Sequence, residues 1–222
     1  MILIPLRSSE RVYSTPKVTA GIIAVNVIVF LYQVSMPAPV LNDFVSQWGL
    51  VPDHLNLASL VTSMFLHGGW LHILGNMLFL WVFGRNVEDL IGGTRYLGLY
   101  LACGVIAAIV QVISNPFSRV PTIGASGAIA GIMGAYLIRL PKTRIHTLLF
   151  VLFILTLDIP AAFLLLYWFA IQFLSGIGSL TETDYSGGGI AWFAHVGGFI
   201  AGMLLIRLFP DQRKWRYWYS EE

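Results

Sequence analysis

Long apolar runs, nearly free of charge, recur along this chain of 222 residues. The first of them, Val18–Met36, contains no charged side chain. A helix that crosses a bilayer needs about 20 predominantly apolar residues, so this run is long enough to span a membrane. Charged residues make up only 11% of the chain, whereas soluble domains carry roughly 25%. The chain is therefore expected to be a polytopic membrane protein with an all-α fold.

Six transmembrane helices are predicted from these runs and from the turn residues between them. They are Val18–Met36, His72–Phe83 with an extension as far as Ile91, Tyr96–Ser114, Ala125–Leu140, Pro160–Ser175 and Ile190–Phe209. The same runs divide the chain into a short N-terminal tail (1–17), one six-span domain (18–209) and a C-terminal tail (210–222).

Three connections between the spans have a distinct composition. Pro37–Leu71 is broken by prolines and is expected to be a loop with short amphipathic helices in the membrane interface. His146–Leu157 is apolar but is followed by Asp158 and Pro160, so it is expected to be a partly embedded extended segment before the fifth span. Gly176–Gly189 is rich in glycine and is expected to be a flexible loop.

The distribution of positive charge predicts the orientation of the spans, because cytoplasmic loops carry an excess of Lys and Arg. On the six-span topology, Arg119 alone falls on the side that lacks the termini. The side with the termini, predicted to be the cytoplasm, carries Arg7, Arg11, Lys17, Arg85, Arg95, Arg139, Lys142, Arg144, Arg207, Arg213, Lys214 and Arg216. In this orientation, the fourth and sixth spans both begin near the outer face of the membrane.

Glycines at helical spacing mark two of the predicted spans. In the fourth span they follow Ser126 along one face, and in the sixth they share a face with His195. These glycines are Gly127, Gly131, Gly134, Gly198 and Gly202. Small residues let membrane helices approach closely, so a serine on one helix could meet a base on the other.

A polar cluster is predicted where these faces meet. His72 and Asn76 are four residues apart and share a face of the second span at the same outer depth. Ser126 would act as nucleophile, with His195 as general base and then as general acid. The Ser126 N–H, the Asn76 amide and the His72 ring would stabilise the oxyanion. Since no carboxylate is suitably placed for a third member, a Ser–His dyad is predicted.

Each of these residues also has a purely structural interpretation. A serine in a membrane helix commonly bonds the carbonyl four residues back, and His or Asn can join two helices. The convergence of four such residues at one depth favours a site. His67 is interpreted as a hydrogen-bonding brace of its loop. No His-Glu-x-x-His motif accompanies His67 and His72, so no metal site is expected there.

Three motifs, in order along six spans, resemble the rhomboid family of intramembrane serine proteases. They are HxxxN at 72–76, GASG at 124–127 and AHVGG at 194–198. The resemblance covers the chain from about Val18 to Phe209. It implies a six-helix rhomboid-like bundle in which Ser126 and His195 form the catalytic dyad, and an oxyanion and substrate-binding site formed by His72, Asn76 and Gly124.

The resemblance further implies that transmembrane proteins are the substrates, cut near their outer ends within the lipid bilayer without a cofactor. It implies that the Gly176–Gly189 loop caps the site and that the fifth span shifts to admit substrate. Some members carry an aromatic residue four positions after the serine, packed on the histidine. This chain has Ala130 there, so the resemblance does not supply the group that supports the His195 ring.

Three other functional classes fit the sequence less well. A catalytically inactive rhomboid-like protein that binds membrane clients usually lacks the serine or the histidine, and this chain keeps both. A small transporter would show internal repeats or ionisable groups at the membrane midplane. A net charge of +2 without a basic run argues against nucleic acid as a partner. A prokaryotic cytoplasmic membrane is the predicted location, and the sequence indicates no oligomeric state.

Overall fold

The structure, a computed structural model, describes residues 2–150, 154–179 and 191–213. Its helices are α1 (Lys17–Val34), α2 (Ala38–Trp48), α3 (Ser59–Thr62), α4 (Trp70–Phe79), α5 (Arg85–Ile91), α6 (Gly93–Ser114), α7 (Ser126–Arg139), α8 (Ala161–Ser179) and α9 (Trp192–Leu205). Its strands are β1 (Ile2–Ser8), β2 (Arg144–Phe150) and β3 (Ile154–Pro160). Short 3-10 helices cover Pro52–His54, Ser63–Phe65 and Ile206–Leu208, and a π-helical segment, Leu80–Gly84, joins α4 to α5.

The long helices match the predicted membrane spans. Within the described residues, α1, α6 and α8 are long and apolar enough to cross a membrane. Ser59–Phe65 and Trp70–Ile91, bent by 98° at a short break, add a fourth crossing if they are counted as one span. The apolar helices Ser126–Arg139 and Trp192–Leu208 are shorter. These helices lie where the six spans were predicted, so the six-helix membrane bundle is confirmed in outline.

Helix α1 exposes apolar side chains on its outer face and buries polar side chains inside the bundle. Ile28 and Tyr32 are about two-thirds exposed, whereas Thr19, Asn26 and Gln33 on the same helix are buried. In water this arrangement would leave apolar surface unburied, but hydrocarbon surrounds such side chains favourably while polar groups find partners inside the bundle. The fold is therefore that of a multi-pass membrane protein.

Two acidic residues of α5 cap the start of α1. The Glu88 carboxylate accepts hydrogen bonds from the Val18 N–H at 2.9 Å and from the Thr19 N–H at 2.8 Å. Asp89 accepts from the Ser14 N–H at 2.9 Å and from its hydroxyl at 2.6 Å. The first N–H groups of a helix lack partners within it, and a negative charge there is favoured. Both carboxylates therefore stabilise the start of α1, at the end of the bundle that is far from Ser126.

Helices α7 and α9 pack backbone against backbone, as their glycine spacing predicts. A Cβ placed on Gly198 would collide with the Gly127 carbonyl group, and one placed on Gly202 would collide with the backbone of Gly131. No side chain larger than hydrogen fits at these crossing points, so the glycines bring the two helices that carry Ser126 and His195 together.

The first connection contains short helices, as expected of an interfacial loop. It consists of α2, α3 and two 3-10 helices, and α2 has no buried residue. Trp70, at the start of α4, is 58% exposed. Amphipathic helices with exposed aromatic residues are typical of segments that lie in the headgroup region.

A three-stranded antiparallel sheet corrects the predicted N-terminal tail. Strand β1 pairs with β2, from Ile2 opposite Phe150 to Ser8 opposite Ile145, and β2 pairs with β3. Residues 1–17 therefore do not form a simple tail. The extended conformation expected for His146–Leu157 is present in β2 and β3, whereas residues 151–153 lie outside the described ones. Backbone N–H and C=O groups in a membrane need hydrogen-bond partners within the protein. Pairing between the strands supplies those partners to the extended segments.

The predicted glycine-rich loop begins later than expected. Helix α8 continues through Gly176 and Gly178 to Ser179, so the fifth span is longer than Pro160–Ser175. The remainder of the predicted loop, residues 180–189, lies outside the described residues, as do residues 214–222 of the predicted C-terminal tail.

Candidate active site

The turn before Ser126 is held in place by the first connection. Leu50 and Thr122 exchange two backbone hydrogen bonds, of 3.0 and 2.8 Å, and the Gly124 N–H donates to the Ser63 carbonyl oxygen at 2.9 Å. Ser126 is the first residue of α7. Its N–H is therefore one of the donors that no carbonyl of the helix reaches, and the positive end of the helix dipole lies there.

His195 reaches Ser126 across the glycine contact between α7 and α9. Its Nε2 atom lies 2.7 Å from Ser126 Oγ, which is a hydrogen-bond distance. The His195 side chain is in the first turn of α9 and is buried. A serine hydroxyl bonded to an imidazole nitrogen can transfer its proton to the ring as the oxygen attacks a carbonyl carbon.

His72 and Asn76 line the same cavity from α4. His72 Nδ1 accepts a hydrogen bond from the Gly68 N–H at 3.3 Å, so in the neutral ring the proton is on Nε2, which can donate. The Asn76 side-chain nitrogen is buried and has no hydrogen-bond partner in the part of the chain that the structure describes. His72 Nε2 and the Asn76 nitrogen are thus two hydrogen-bond donors in the cavity that Ser126 also lines.

Gly124 permits the close approach of these groups. Its φ is +128°, a conformation that favours glycine. A Cβ at this position would lie 2.8 Å from His72 Cε1 and Nε2. Gly124 is not among the residues that line the cavity, and its N–H is bonded to Ser63; its contribution is the room it leaves for the His72 ring.

Two residues of α8 that the sequence motifs did not indicate lie against His195. Gln172 Oε1 is 2.6 Å from His195 Nδ1, and both side chains are buried. The Trp168 ring lies beside the imidazole, with 5.7 Å between ring centroids. Ala130 supplies no aromatic ring, and Trp168 lies on the imidazole instead. A glutamine within an apolar membrane helix costs free energy unless its amide has a partner. The presence of Gln172 in the fifth span was therefore the sequence signal that could have indicated this contact.

His67 is held in its loop by hydrogen bonds of its backbone. Its ring nitrogens have no hydrogen-bond partner among the described residues. The loop is braced at this position by Gln33, whose side-chain oxygen accepts from the His67 N–H at 3.0 Å and whose nitrogen donates to the His67 carbonyl at 3.3 Å. The hydrogen bonds expected of His67 in its loop are therefore made by its backbone N–H and carbonyl groups.

The polar residues open into a cavity of about 670 Å³ between α4, α7, α8 and α9. Its walls are largely apolar, and Ser126, His195, His72, Asn76 and Gln172 provide the polar part. A cavity of about 860 Å³ lies at the other end of the bundle, around Lys17 and Gly93, away from these groups. Among the described residues, no group of three or more His, Cys, Asp or Glu side chains is arranged to hold a metal ion.

Comparison with known protein families decides the class of the chain. The sequence profile of the Rhomboid domain matches residues 54–212, which is more than half of the chain. The chain belongs to the rhomboid family. The matched region of this rhomboid contains α3 to α9, and so includes Ser126, His195 and the cavity around them.

Relatives of this rhomboid occur in bacteria, plants and animals. It is 28% identical to RHOMBOID-like protein 5 of Arabidopsis thaliana over 152 residues, 66% of this chain and 42% of the plant protein. It is 30% identical to the human Presenilin-associated rhomboid-like protein, mitochondrial, over 145 residues, 63% of this chain and 37% of that protein. It is 32% identical to the Putative rhomboid protease YdcA of Bacillus subtilis over 123 residues, 54% of this chain and 61% of that protein. The matched part therefore spans less than two thirds of each relative.

Proposed function

We propose that this rhomboid is an intramembrane serine endopeptidase that cleaves transmembrane proteins near the outer membrane face. The observation that carries the proposal is the 2.7 Å contact between Ser126 Oγ and His195 Nε2. The contact lies in a cavity of about 670 Å³ that His72 and Asn76 also line. A serine whose only role was helix packing would require neither a histidine nitrogen at hydrogen-bond distance nor a cavity beside it.

Ser126 Oγ attacks the scissile carbonyl carbon while its proton passes to His195 Nε2. The tetrahedral intermediate then collapses, and the same nitrogen returns the proton to the departing amine. In the second half of the reaction, His195 Nε2 takes a proton from a water molecule as the water oxygen attacks the acyl carbon. The same nitrogen then returns the proton to Ser126 Oγ as the acyl bond breaks. The cavity opens near the starts of α7 and α9, where water from the outer side has access to the reacting bond.

The negative oxygen of the intermediate is stabilised by donors that converge beside Ser126. They are the Ser126 N–H at the start of α7, the Asn76 amide nitrogen and His72 Nε2. Within the described part of the chain the Asn76 nitrogen has no acceptor, which supports this assignment, because an unpaired buried donor costs stability unless a ligand uses it.

Transmembrane segments suit this site as substrates. A helix in hydrocarbon keeps its backbone bonds internal, so it must unwind locally before a peptide bond can reach Ser126. Helix-breaking or small residues near the outer end of the substrate lower that cost. Exposed side chains of α8, such as Phe163 and Leu174, face the bilayer from which such a substrate would arrive.

A prokaryotic cytoplasmic membrane is the proposed location, with both termini in the cytoplasm. Bacterial relatives, including the Rhomboid protease GluP of Bacillus subtilis, at 42% identity over 78 residues, support it. The mitochondrial names among the animal relatives make an organelle membrane the alternative outcome of a localisation experiment.

The deciding experiment is cleavage of a fluorescent single-span substrate by the purified protein in liposomes, with Ser126→Ala and His195→Ala as variants. Wild type should cut, and each variant should lose at least about 10³-fold in rate, since the two groups act as a unit. Thermal unfolding of each variant checks that it is folded. A wild type that neither cuts nor reacts with a fluorophosphonate probe would instead indicate a client-binding rhomboid without activity.

A further inference from the structure

Gln172 and His195 form a hydrogen bond that the proposed dyad does not require. Gln172 Oε1 lies 2.6 Å from His195 Nδ1, and the two side chains are 7% and 8% exposed. Each residue comes from a different helix, Gln172 from α8 and His195 from α9. A buried amide in a membrane helix needs a partner, and here the partner is the ring that also contacts Ser126.

The polarity of this bond determines which ring nitrogen carries the proton. An amide oxygen can only accept, so His195 Nδ1 must be the protonated nitrogen. Nε2 then presents its lone pair toward Ser126 Oγ, at 2.7 Å. That tautomer is the one in which a histidine can act as a general base on a serine, and its alternative leaves Nε2 protonated and unable to accept.

We propose that Gln172 is a positioning residue that fixes the tautomer and ring orientation of His195, so that Ser126, His195 and Gln172 form a hydrogen-bonded triad in which the proton moves only between the first two. The proposal rests on the proposed proteolytic function. Gln172 occupies the place that a carboxylate fills in a Ser–His–Asp triad, but it is neutral. It therefore orients the ring without placing a second charge in the apolar bundle.

Helix α8 supports the ring in a second way. Trp168, one turn before Gln172, lies beside the imidazole and also beside Phe199, at 6.1 Å between ring centroids. One face of α8 thus supplies both the hydrogen bond and the wall against which the ring rests. The orientation of the base consequently depends on the contact between α8 and α9.

The rival interpretation is that Gln172 only joins two helices. The chain offers a matched control in Gln111 on α6, whose side-chain oxygen accepts from the Ala194 N–H at 3.3 Å. Gln111 therefore bonds the residue before His195 without touching the ring. Leucine at either position removes an amide contact to α9, but only Gln172→Leu removes the contact to Nδ1.

The test compares wild type, Gln172→Leu, Gln172→Glu and Gln111→Leu as full-length proteins in liposomes. Gln172→Leu should lower kcat roughly 10- to 100-fold with KM within about twofold, whereas Gln111→Leu should keep kcat within about threefold. Gln172→Glu, which retains an acceptor, should recover part of kcat. Equal kcat for wild type and Gln172→Leu would overturn the proposal.

The pH profile separates positioning from packing. Among the described residues that line the cavity, His72 on α4 and His195 on α9 are the titratable ones. A carboxylate at position 172 favours the protonated ring, so the acid limb of the Gln172→Glu profile should move to higher pH than in wild type. An unmoved limb together with equal losses in both Gln172 variants would assign Gln172 to packing alone.

Nitrogen-15 NMR of histidine-labelled protein reports the tautomer without reference to activity. Wild type should show His195 protonated on Nδ1 at neutral pH, and Gln172→Leu should shift the ring toward protonation on Nε2. This measurement stands even if no substrate is cut, so failure of the proteolytic function and failure of the Gln172 assignment remain distinguishable. An Nε2-protonated ring in wild type would overturn the assignment.

Discussion

Three buried asparagines in the bundle differ in what their amide nitrogens do. Asn26 on α1 donates to the Ile22 carbonyl at 2.8 Å, and Asn86 on α5 donates to the Val82 carbonyl at 3.0 Å. Each therefore bonds the carbonyl four residues back in its own helix, which is the ordinary way for a helix to satisfy a buried amide. Asn76 departs from this pattern, because its nitrogen has no partner among the described residues.

This contrast predicts different effects of alanine at two of these positions. Asn76→Ala should lower kcat about 10²- to 10³-fold, because an oxyanion donor is lost. Asn86→Ala should leave kcat nearly unchanged while lowering stability by about 1 kcal/mol, since only an internal hydrogen bond is removed. Cleavage kinetics beside thermal unfolding measure both effects. Equal losses of kcat in the two variants would remove Asn76 from the oxyanion site.

At the scale of elements, the contact between α7 and α9 determines whether the site exists at all. The helices meet at glycines, and the chain offers a test with an internal control. Gly202 faces the backbone of Gly131, whereas a Cβ on Gly98 of α6 would meet nothing within 4 Å. The two positions differ in surroundings but not in residue type.

Gly202→Ala should lower the free energy of unfolding by about 2 kcal/mol, because the added methyl group forces the two helices apart. The melting temperature should fall by roughly 4–8 °C in detergent micelles. Gly98→Ala should match or exceed the wild-type melting temperature, since alanine favours the helix. Similar melting temperatures for the two variants would mean that the glycine contact is not tight in the membrane.

The sequence predicted those features that depend on local spacing. The apolar runs indicated the helices, and glycines at helical intervals indicated which helix faces meet. Gln172 was not predicted, because its partner is set by how α8 packs on α9 and no local pattern encodes that contact. Strand β1 was not predicted either, because its pairing partner, β2, is remote in sequence and only the folded bundle brings the two together.

At the scale of the whole molecule, positive charge predicts which side faces the cytoplasm. Arg119 lies in the connection between α6 and α7, exposed and paired with Asp53 at 2.9 Å. Lys142 is exposed in the connection between α7 and β2. Because α7 runs between them, the two side chains should lie on opposite faces of the membrane.

Cysteine labelling in intact cells tests this orientation. The native cysteine, Cys103, is buried and should give little background. A membrane-impermeant maleimide should label Arg119→Cys in intact cells, but should label Lys142→Cys only after the membrane is opened. Loss of the exposed ion pair of Arg119 should cost little. The reverse labelling pattern would place the proposed site on the cytoplasmic face.

The pairing of β1 with β2 also sets an order of events during biosynthesis. Strand β2 is made about 140 residues after β1, which at about 5–20 residues per second is a delay of roughly 7 to 28 seconds. Throughout that interval β1 remains without its partner strand while the helices from α1 to α7 are synthesised. The helix that carries Ser126 is thus complete before the sheet can close, and the helix that carries His195 is made after β2 and β3. A nascent chain consequently holds its nucleophile for some time before it acquires a base.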